Sequence, residues 1–179
     1  MAKAYTHSQK RKVESWKIEL KTVMKTELLL VGKTTDRHID ALFADYVGRI
    51  SHYMPFAVTV IPELRNTKSL SQAQQKEREG QLILQHVTTS DTLVLLDEHG
   101  HEFRSLQLAH WLRQKQNTVR RLILAIGGPY GFSEAVYQRA NEKLSLSRLT
   151  FSHQMVRAIL SEQIYRACTI IKGEPYHHE

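Results

Sequence analysis

The sequence predicts an α/β domain, a mostly parallel sheet with helices on both faces. Three observations carry this. Short apolar runs alternate along the chain with stretches of helical periodicity, the order of βαβ units. The runs are apolar throughout rather than every second residue, as strands covered on both faces must be. Two of them run straight into glycine, the chemistry of a tight exit from a strand.

The elements follow in order. Residues 27–31 form an apolar run closed by Gly32, the first strand. Asp36 caps a helix that carries Ile39, Leu42, Phe43, Tyr46, Val47 and Ile50 at helical spacing, and Pro55 closes it. Residues 56–61 are β-branched and make the second strand, followed by a loop over 62–70. Residues 71–86 form a charged helix with Leu82 and Ile83 in its later turns. Residues 92–96 are the third strand, with a turn over 97–100. A helix over 104–116 leads to the fourth strand, 121–126, which enters Gly127-Gly128-Pro129-Tyr130-Gly131. A short helix over 133–140, a fifth extended piece over 145–151, a long helix over 154–171 and a tail over 172–179 complete the chain.

With 179 residues, 41% of them apolar, the chain is of a size to form one domain with a real core. Eight glycines, four prolines and 24% charged residues exclude collagen, coiled coil and global disorder. No apolar run nears the roughly 20 residues that span a bilayer. A single cysteine, Cys168, excludes an intramolecular disulfide and favours a cytoplasmic setting. The formal net charge is +7, of which residues 1–23 carry +4 and the remainder +3. Residues 1–23 are polar and basic and are expected to be a disordered or weakly helical extension. Two readings stand for them: a basic arm that touches RNA, or a chain whose translation begins at Met24. Residues 24–179 are expected to be a single domain.

Three strand ends offer chemistry, because ligands of open parallel sheets collect at the carboxyl ends of strands. They are Leu96-Asp97, the Gly127–Gly131 loop, and residues 145–153. The loop has the spacing GGxxG. It lacks the Gly-Lys-Ser/Thr of a phosphate-binding loop, which counts against a nucleotide hydrolase. Taken alone, it reads first as a tight strand-to-helix turn. The stretch Leu-Ser-Leu-Ser-Arg-Leu-Thr-Phe-Ser-His reads either as an edge strand or as backbone presented to an adenine edge, with Leu146, Leu149 and Phe151 as an apolar slot. The last helix has a wide apolar stripe, suited to a core and a subunit interface together. Its Arg157, Ser161 and Tyr165 form a row that is either a solvated face or a functional row facing the loop. Glu162 and Arg166 make an i,i+4 pair. The ending Tyr176-His177-His178 offers proton transfer and base stacking. No spacing of zinc ligands is present, Cys168 lies on an apolar helix face, and no metal is expected.

Together, Leu-Leu-Leu-Val-Gly-Lys at the first strand, Leu-Leu-Asp-Glu-His-Gly at the third, Ile-Gly-Gly-Pro-Tyr-Gly-Phe-Ser, the Leu-Ser-Leu-Ser-Arg-Leu-Thr-Phe-Ser-His-Gln-Met-Val-Arg stretch, Glu-Gln-Ile-Tyr-Arg-Ala and the final Gly-Glu-Pro-Tyr-His-His-Glu resemble the small ribosomal large-subunit pseudouridine N3-methyltransferases, a minimal branch of the SPOUT class. The resemblance runs from Met24 to Glu179. It implies a C-terminal trefoil knot, a homodimer, and S-adenosyl-L-methionine as methyl donor. Leu96, Gly127 and Gly128 would line the donor's pocket, and Leu146, Ser147, Arg148, Leu149, Thr150 and Phe151 would wrap its adenine. The substrate would be a pseudouridine of 23S ribosomal RNA in the assembled ribosome. His153, Arg157, Tyr176 and His177 are the catalytic candidates, and Tyr165, Arg166 and His178 the RNA-binding ones. The alternative is a knotted RNA-binding dimer without catalysis. Three departures stand out. His178 replaces the usual Arg or Lys, Tyr130 takes a position that is often Glu or another polar residue, and the extension has no counterpart in the family.

Overall fold

The computed structural model describes residues 23–178, so residues 1–22 of the expected extension lie outside the described residues. In chain order the elements are β1 (Lys25–Val31), α1 (Arg37–Ile50), β2 (Phe56–Ile61), α2 (Gln72–Gln85), β3 (Thr92–Glu102), α3 (Ser105–Thr118), β4 (Arg121–Ile126), α4 (Glu134–Arg139), β5 (Glu142–Ser145) and α5 (Met155–Lys172). All strand pairs are parallel, in the order β2-β1-β4-β3-β5.

The continuous apolar strands have the consequence their composition predicts. Leu28 and Leu30 of β1 and Leu122 and Leu124 of β4 face one core, with Phe43 and Ile50 of α1, Leu112 of α3 and Leu160 and Ile164 of α5. Their neighbours Leu29, Val31, Ile123 and Ala125 face the other, with Ile83 of α2 and Val136 of α4. The helices therefore cover both faces. Asp36 caps α1 as expected, its carboxylate accepting from the His38 and Ile39 amides at 2.8 and 3.0 Å. Ser71 and Gln74 form a reciprocal capping box at the start of α2. At the amino-terminal ends of the central strands, Arg121 bridges Glu27 at 2.7 Å and Asp91 at 2.8 Å, joining β1, β4 and the approach to β3.

Two elements differ from expectation, both beside the strand ends. The third strand does not stop at Leu96. It continues to Glu102, and its register on β5 jumps: Leu96 and His101 both pair with Leu144, so residues 97–100 stand out from the ladder. The predicted turn is thus an excursion inside a strand, closed by Asp97 Oδ1 accepting from the His99 amide at 2.8 Å. The fifth strand lies earlier, at Glu142–Ser145, and residues 146–153 leave the sheet. The serines are the reason. Ser145 Oγ donates to the Ser147 carbonyl at 2.9 Å and Ser147 Oγ accepts from the Leu149 amide at 3.0 Å. These local bonds satisfy backbone groups that a ladder would otherwise take.

The far end of that loop is fixed to β1. Arg157, in the first turn of α5, is 0% exposed. Its guanidinium donates to the Val31 carbonyl at 2.7 Å, to Thr34 Oγ1 at 2.9 Å and to the His153 carbonyl at 3.2 Å. Gln154 adds a second clamp. Its Oε1 accepts from the Thr35 and Asp36 amides, and its Nε2 donates to Thr35 Oγ1 at 2.7 Å. At its other end α5 stops on Gly173, whose positive φ of 73° allows the Glu174 amide to reach back to the Thr169 carbonyl at 3.0 Å.

Two substitutions test these anchors. Arg157→Met leaves the Val31 and His153 carbonyls without their donor and is expected to cost about 2 kcal/mol, read as a lower urea midpoint at unchanged slope. A Cβ at Gly100 would lie 2.6 Å from the backbone N and C of Leu144, atoms that cannot turn aside. Gly100→Ala is therefore expected to cost about 1–3 kcal/mol in the same measurement. A midpoint within error of the unsubstituted chain would refute either assignment.

Candidate functional site

The carboxyl ends of β3, β4 and β5 open into one cleft of about 630 Å³, within the usual range of small-molecule sites, roughly 300–1,000 Å³. Leu96, just before the β3 excursion, Ile126 at the end of β4 and Leu144 near the end of β5 contribute apolar lining. The Gly127–Phe132 loop makes one wall and residues 144–147 with 149–153 make another. Gly127 and Gly128 are buried. A Cβ on Gly127 would meet the Phe132 ring at 3.2 Å, and one on Gly128 would lie 2.5 Å from Glu79 Oε2. The loop thus has protein packed against it from behind and presents backbone in front. Gly131, at φ +78°, donates its amide to the Gly128 carbonyl at 3.1 Å and closes the turn.

The polar lining is set by a few contacts. Tyr137 donates its hydroxyl to Asp97 Oδ2 at 2.5 Å. Burial alone would raise the pKa of Asp97, but the bonds from Tyr137 and from the amide and ring of His99 bring it below the ordinary aspartate value. The Tyr137 hydroxyl moves the other way, raised by burial and by the same carboxylate. His153 faces the cleft with its imidazole held below the ordinary histidine value, first by burial and then by the charge of Arg157. It is neutral at pH 7 and can take up a proton. Behind the glycine loop lies Glu79, 4% exposed, with Oε1 accepting from Gln75 at 2.9 Å and Oε2 unpartnered. Burial raises its pKa.

The residues singled out from sequence divide into two groups. Leu96, Gly127, Gly128, Leu146, Ser147, Leu149, Thr150, Phe151 and His153 line the cleft together. Arg148 does not; its side chain points away and pairs with Glu102 at 3.4 Å. Arg157 is neither a solvated residue nor a lining one but the buried clamp described above, a correction to both sequence readings of that row. Ser161 is buried beside it on α5 and bonds to the Ala158 carbonyl. Tyr165 and Tyr176 stack edge to face at 4.8 Å, and Tyr165 also packs on Tyr46 and Tyr53. The Tyr176 hydroxyl lies 3.4 Å from that of Tyr46 and 3.1 Å from Glu162 Oε1. These neighbours raise its pKa, Tyr46 foremost, so it acts as a hydrogen-bond donor rather than a base. Arg166 pairs with Glu162 at 2.6 Å and lies over the Tyr176 ring at 4.8 Å. His177 has a buried Nδ1 without a partner, and His178 is exposed. None of this second group lines the cleft of the same chain.

Sequence reasoning missed the contribution of α2. Gln72 and Lys76 line the cleft and Glu79 backs it, yet this helix reads only as a charged surface segment. The positions stand at i, i+4 and i+7, one face of a helix, which was the available signal. Asp97 and Tyr137 were likewise invisible as a pair, being 40 residues apart. Cys168 is inert as read, its thiol pushed up to about 12 by burial. Among the described residues no three His, Cys, Asp or Glu side chains are grouped to hold a metal, and no helix is long and apolar enough to cross a membrane.

Comparison with known proteins bears on this cleft. A family model described as "Predicted SPOUT methyltransferase" matches residues 24–177. A protein of Bacteroides thetaiotaomicron named ribosomal RNA large subunit methyltransferase H is 59% identical over 157 residues, 87% of this chain and 100% of that protein. Proteins of the same name from Phocaeicola vulgatus and Flavobacterium johnsoniae are 55% and 48% identical over the same shares.

The Asp97–Tyr137 bond has a pH signature. A carboxylate with a depressed pKa contributes stability that is present above its unfolded value and lost as pH falls through its folded one. Tyr137→Phe should therefore cost about 1 kcal/mol near neutrality and reduce the extra loss of stability seen below about pH 4. Urea unfolding at pH 7 and pH 3 checks this; equal costs at both values would contradict it.

Proposed function

The chain belongs to the SPOUT methyltransferase family, and on that premise we propose how its cleft and tail act. The protein is an S-adenosylmethionine-dependent methyltransferase of large-subunit ribosomal RNA. The observation that carries this reading is the cleft: a protein-backed glycine turn faces a non-strand backbone segment across a gap of small-molecule size. The residues fit the donor. Leu146, Leu149 and Phe151 offer an apolar slot, with the backbone of 146–151 free of the sheet ladder, and the glycines allow close approach. When bound, the donor supplies an electrophilic methyl group.

The finer reading is methylation of N3 of a pseudouridine presented by the assembled ribosome. N3–H must lose its proton before the nitrogen can attack. Neutral His153 at the cleft mouth is suited to accept it, and the buried carbonyl contact of Arg157 fixes the backbone from which His153 projects. The chain's larger contribution is to hold nitrogen and methyl in line. Tyr176 would donate a hydrogen bond or stack on the base, and His177, Arg166, Tyr165 and His178 would meet the RNA. Since these groups stand apart from the cleft of their own chain, the reading includes a homodimer in which one tail serves the partner's cleft. It also includes the C-terminal trefoil knot and a cytoplasmic location, where ribosomes are. A charge of +3 over residues 24–179 gives weak attraction to naked RNA, so shape recognition of the ribosome is part of the reading.

The test is methyl transfer to ribosomes lacking the modification, with the methylated nucleoside identified by mass. Transfer is expected on whole ribosomes and at least about tenfold less on naked RNA. His177→Ala and Tyr176→Phe are expected to lower turnover at saturating donor while leaving donor affinity unchanged. Equal transfer to naked RNA would remove the ribosome from the proposal, and unchanged turnover in both variants would remove the tail.

A further inference from the structure

Resting on the reading of the cleft as the donor site, we propose that Lys76 of α2 is the group that receives the donor's carboxylate, and so sets the preference for a ligand with an amino-acid end. The methyl donor is an adenosine joined through sulfur to an amino acid. Its adenosine half needs an apolar slot and backbone hydrogen bonds, which the strand ends and the 146–151 segment offer. Its other half carries a carboxylate, which needs a cation where water is partly excluded.

Lys76 is the one lysine or arginine lining the cleft. It is half-buried, and among the described residues it makes no ion pair and no hydrogen bond. Lys115 of α3, by contrast, has a carboxylate beside it and pairs with Glu142. Gln72, one turn earlier on the same face, lines the cleft too and brings a second donor. The helix that carries them is fixed in place. The Ser71–Gln74 capping box holds its start, and Glu79 and Gly80 pack beneath Gly128 and Ser133. Lys76 therefore approaches from the wall beside the glycine turn. The cleft's carboxylates, Asp97 and Glu98, belong to the β3 excursion. A ligand with a negative end is drawn towards α2 and away from β3.

Titration calorimetry with two ligands tests this. S-Adenosylhomocysteine keeps the amino-acid end, and 5′-methylthioadenosine lacks it. The unsubstituted chain is expected to bind both. Lys76→Met should weaken S-adenosylhomocysteine by about ten- to a hundredfold and leave methylthioadenosine within about twofold. Lys76→Arg should restore most of the loss. Equal weakening of both ligands, or of neither, would overturn the assignment to Lys76 while leaving the cleft reading intact. Failure of the unsubstituted chain to bind either ligand would overturn the cleft reading itself and this assignment with it. Thermal midpoints of the variants, expected to match the unsubstituted chain, separate a lost contact from a lost fold.

Discussion

The cleft depends on how its serine-rich wall is held. Residues 146–153 pair with no strand; Arg148 and Thr150 touch the carboxylates of Glu102 and Glu98 on β3, and the backbone is held at its two ends. One end is Ser145, the last ladder residue of β5. The other is the first turn of α5, where Arg157 and Gln154 bind the exit of β1 through five hydrogen bonds to Val31, Thr34, Thr35 and Asp36. A fully buried guanidinium is costly to desolvate, and no carboxylate lies in ion-pair range of it among the described residues. What it gains is geometric. Five planar donors can hold two carbonyls and a hydroxyl from two separate segments at once, which neither lysine nor an apolar residue can do.

The opposite wall is built on a different principle. Here the constraint is lack of space. Glu79 lies against Gly128, Phe132 against Gly127, and Ser133 against Gly80, so each glycine is required by what stands behind it. Two of the backing atoms, Glu79 Oε2 and Ser133 Oγ, are buried without partners. Such groups cost free energy, and stabilised folds avoid them unless the site needs them. Glu79 Oε2 lies against the glycine turn and Ser133 Oγ against Gly80 of α2, which puts that cost at the cleft end of the sheet, while the base of the sheet is satisfied through Arg121, Glu27 and Asp91.

The sheet was legible because its determinants are local. Apolar runs on strands, the Asp36 cap and the helix periodicities each speak for themselves, and the order of elements then leaves an α/β sheet as the simplest answer. The two elements misread have different causes. At 97–100 the turn residues read correctly as a turn, and only the pairing of His101 and Glu102 with β5 shows that the strand resumes beyond them. At 145–151 the chain has strand-like composition, but Ser145 and Ser147 take up backbone groups locally and draw it off the ladder. Propensity does not register that competition. The same holds for the site. The glycine turn and the apolar slot could be found from sequence, being contiguous. Arg157 was misread because helical spacing places it on the polar side of α5, and only the packing of α5 against the β1 exit shows that this side is also buried. The α2 face and the Asp97–Tyr137 bond were hidden because each needs two distant segments.

The division between cleft and tail constrains the chemistry most. The cleft proposed for the donor is lined from the strand ends, their loops and α2 of one chain, while the residues proposed to meet the base, His153 apart, lie on α5 and the tail. The tail is not loosely placed. Tyr176 is bonded to Tyr46 and Glu162, stacked on Tyr165 and covered by Arg166, while Tyr53 takes Glu174. Swinging it to its own cleft would break all of these contacts together, at a cost no single new hydrogen bond repays. The proposed homodimer, in which a second chain's cleft comes to the tail, is the reading that asks for none of these contacts to be given up.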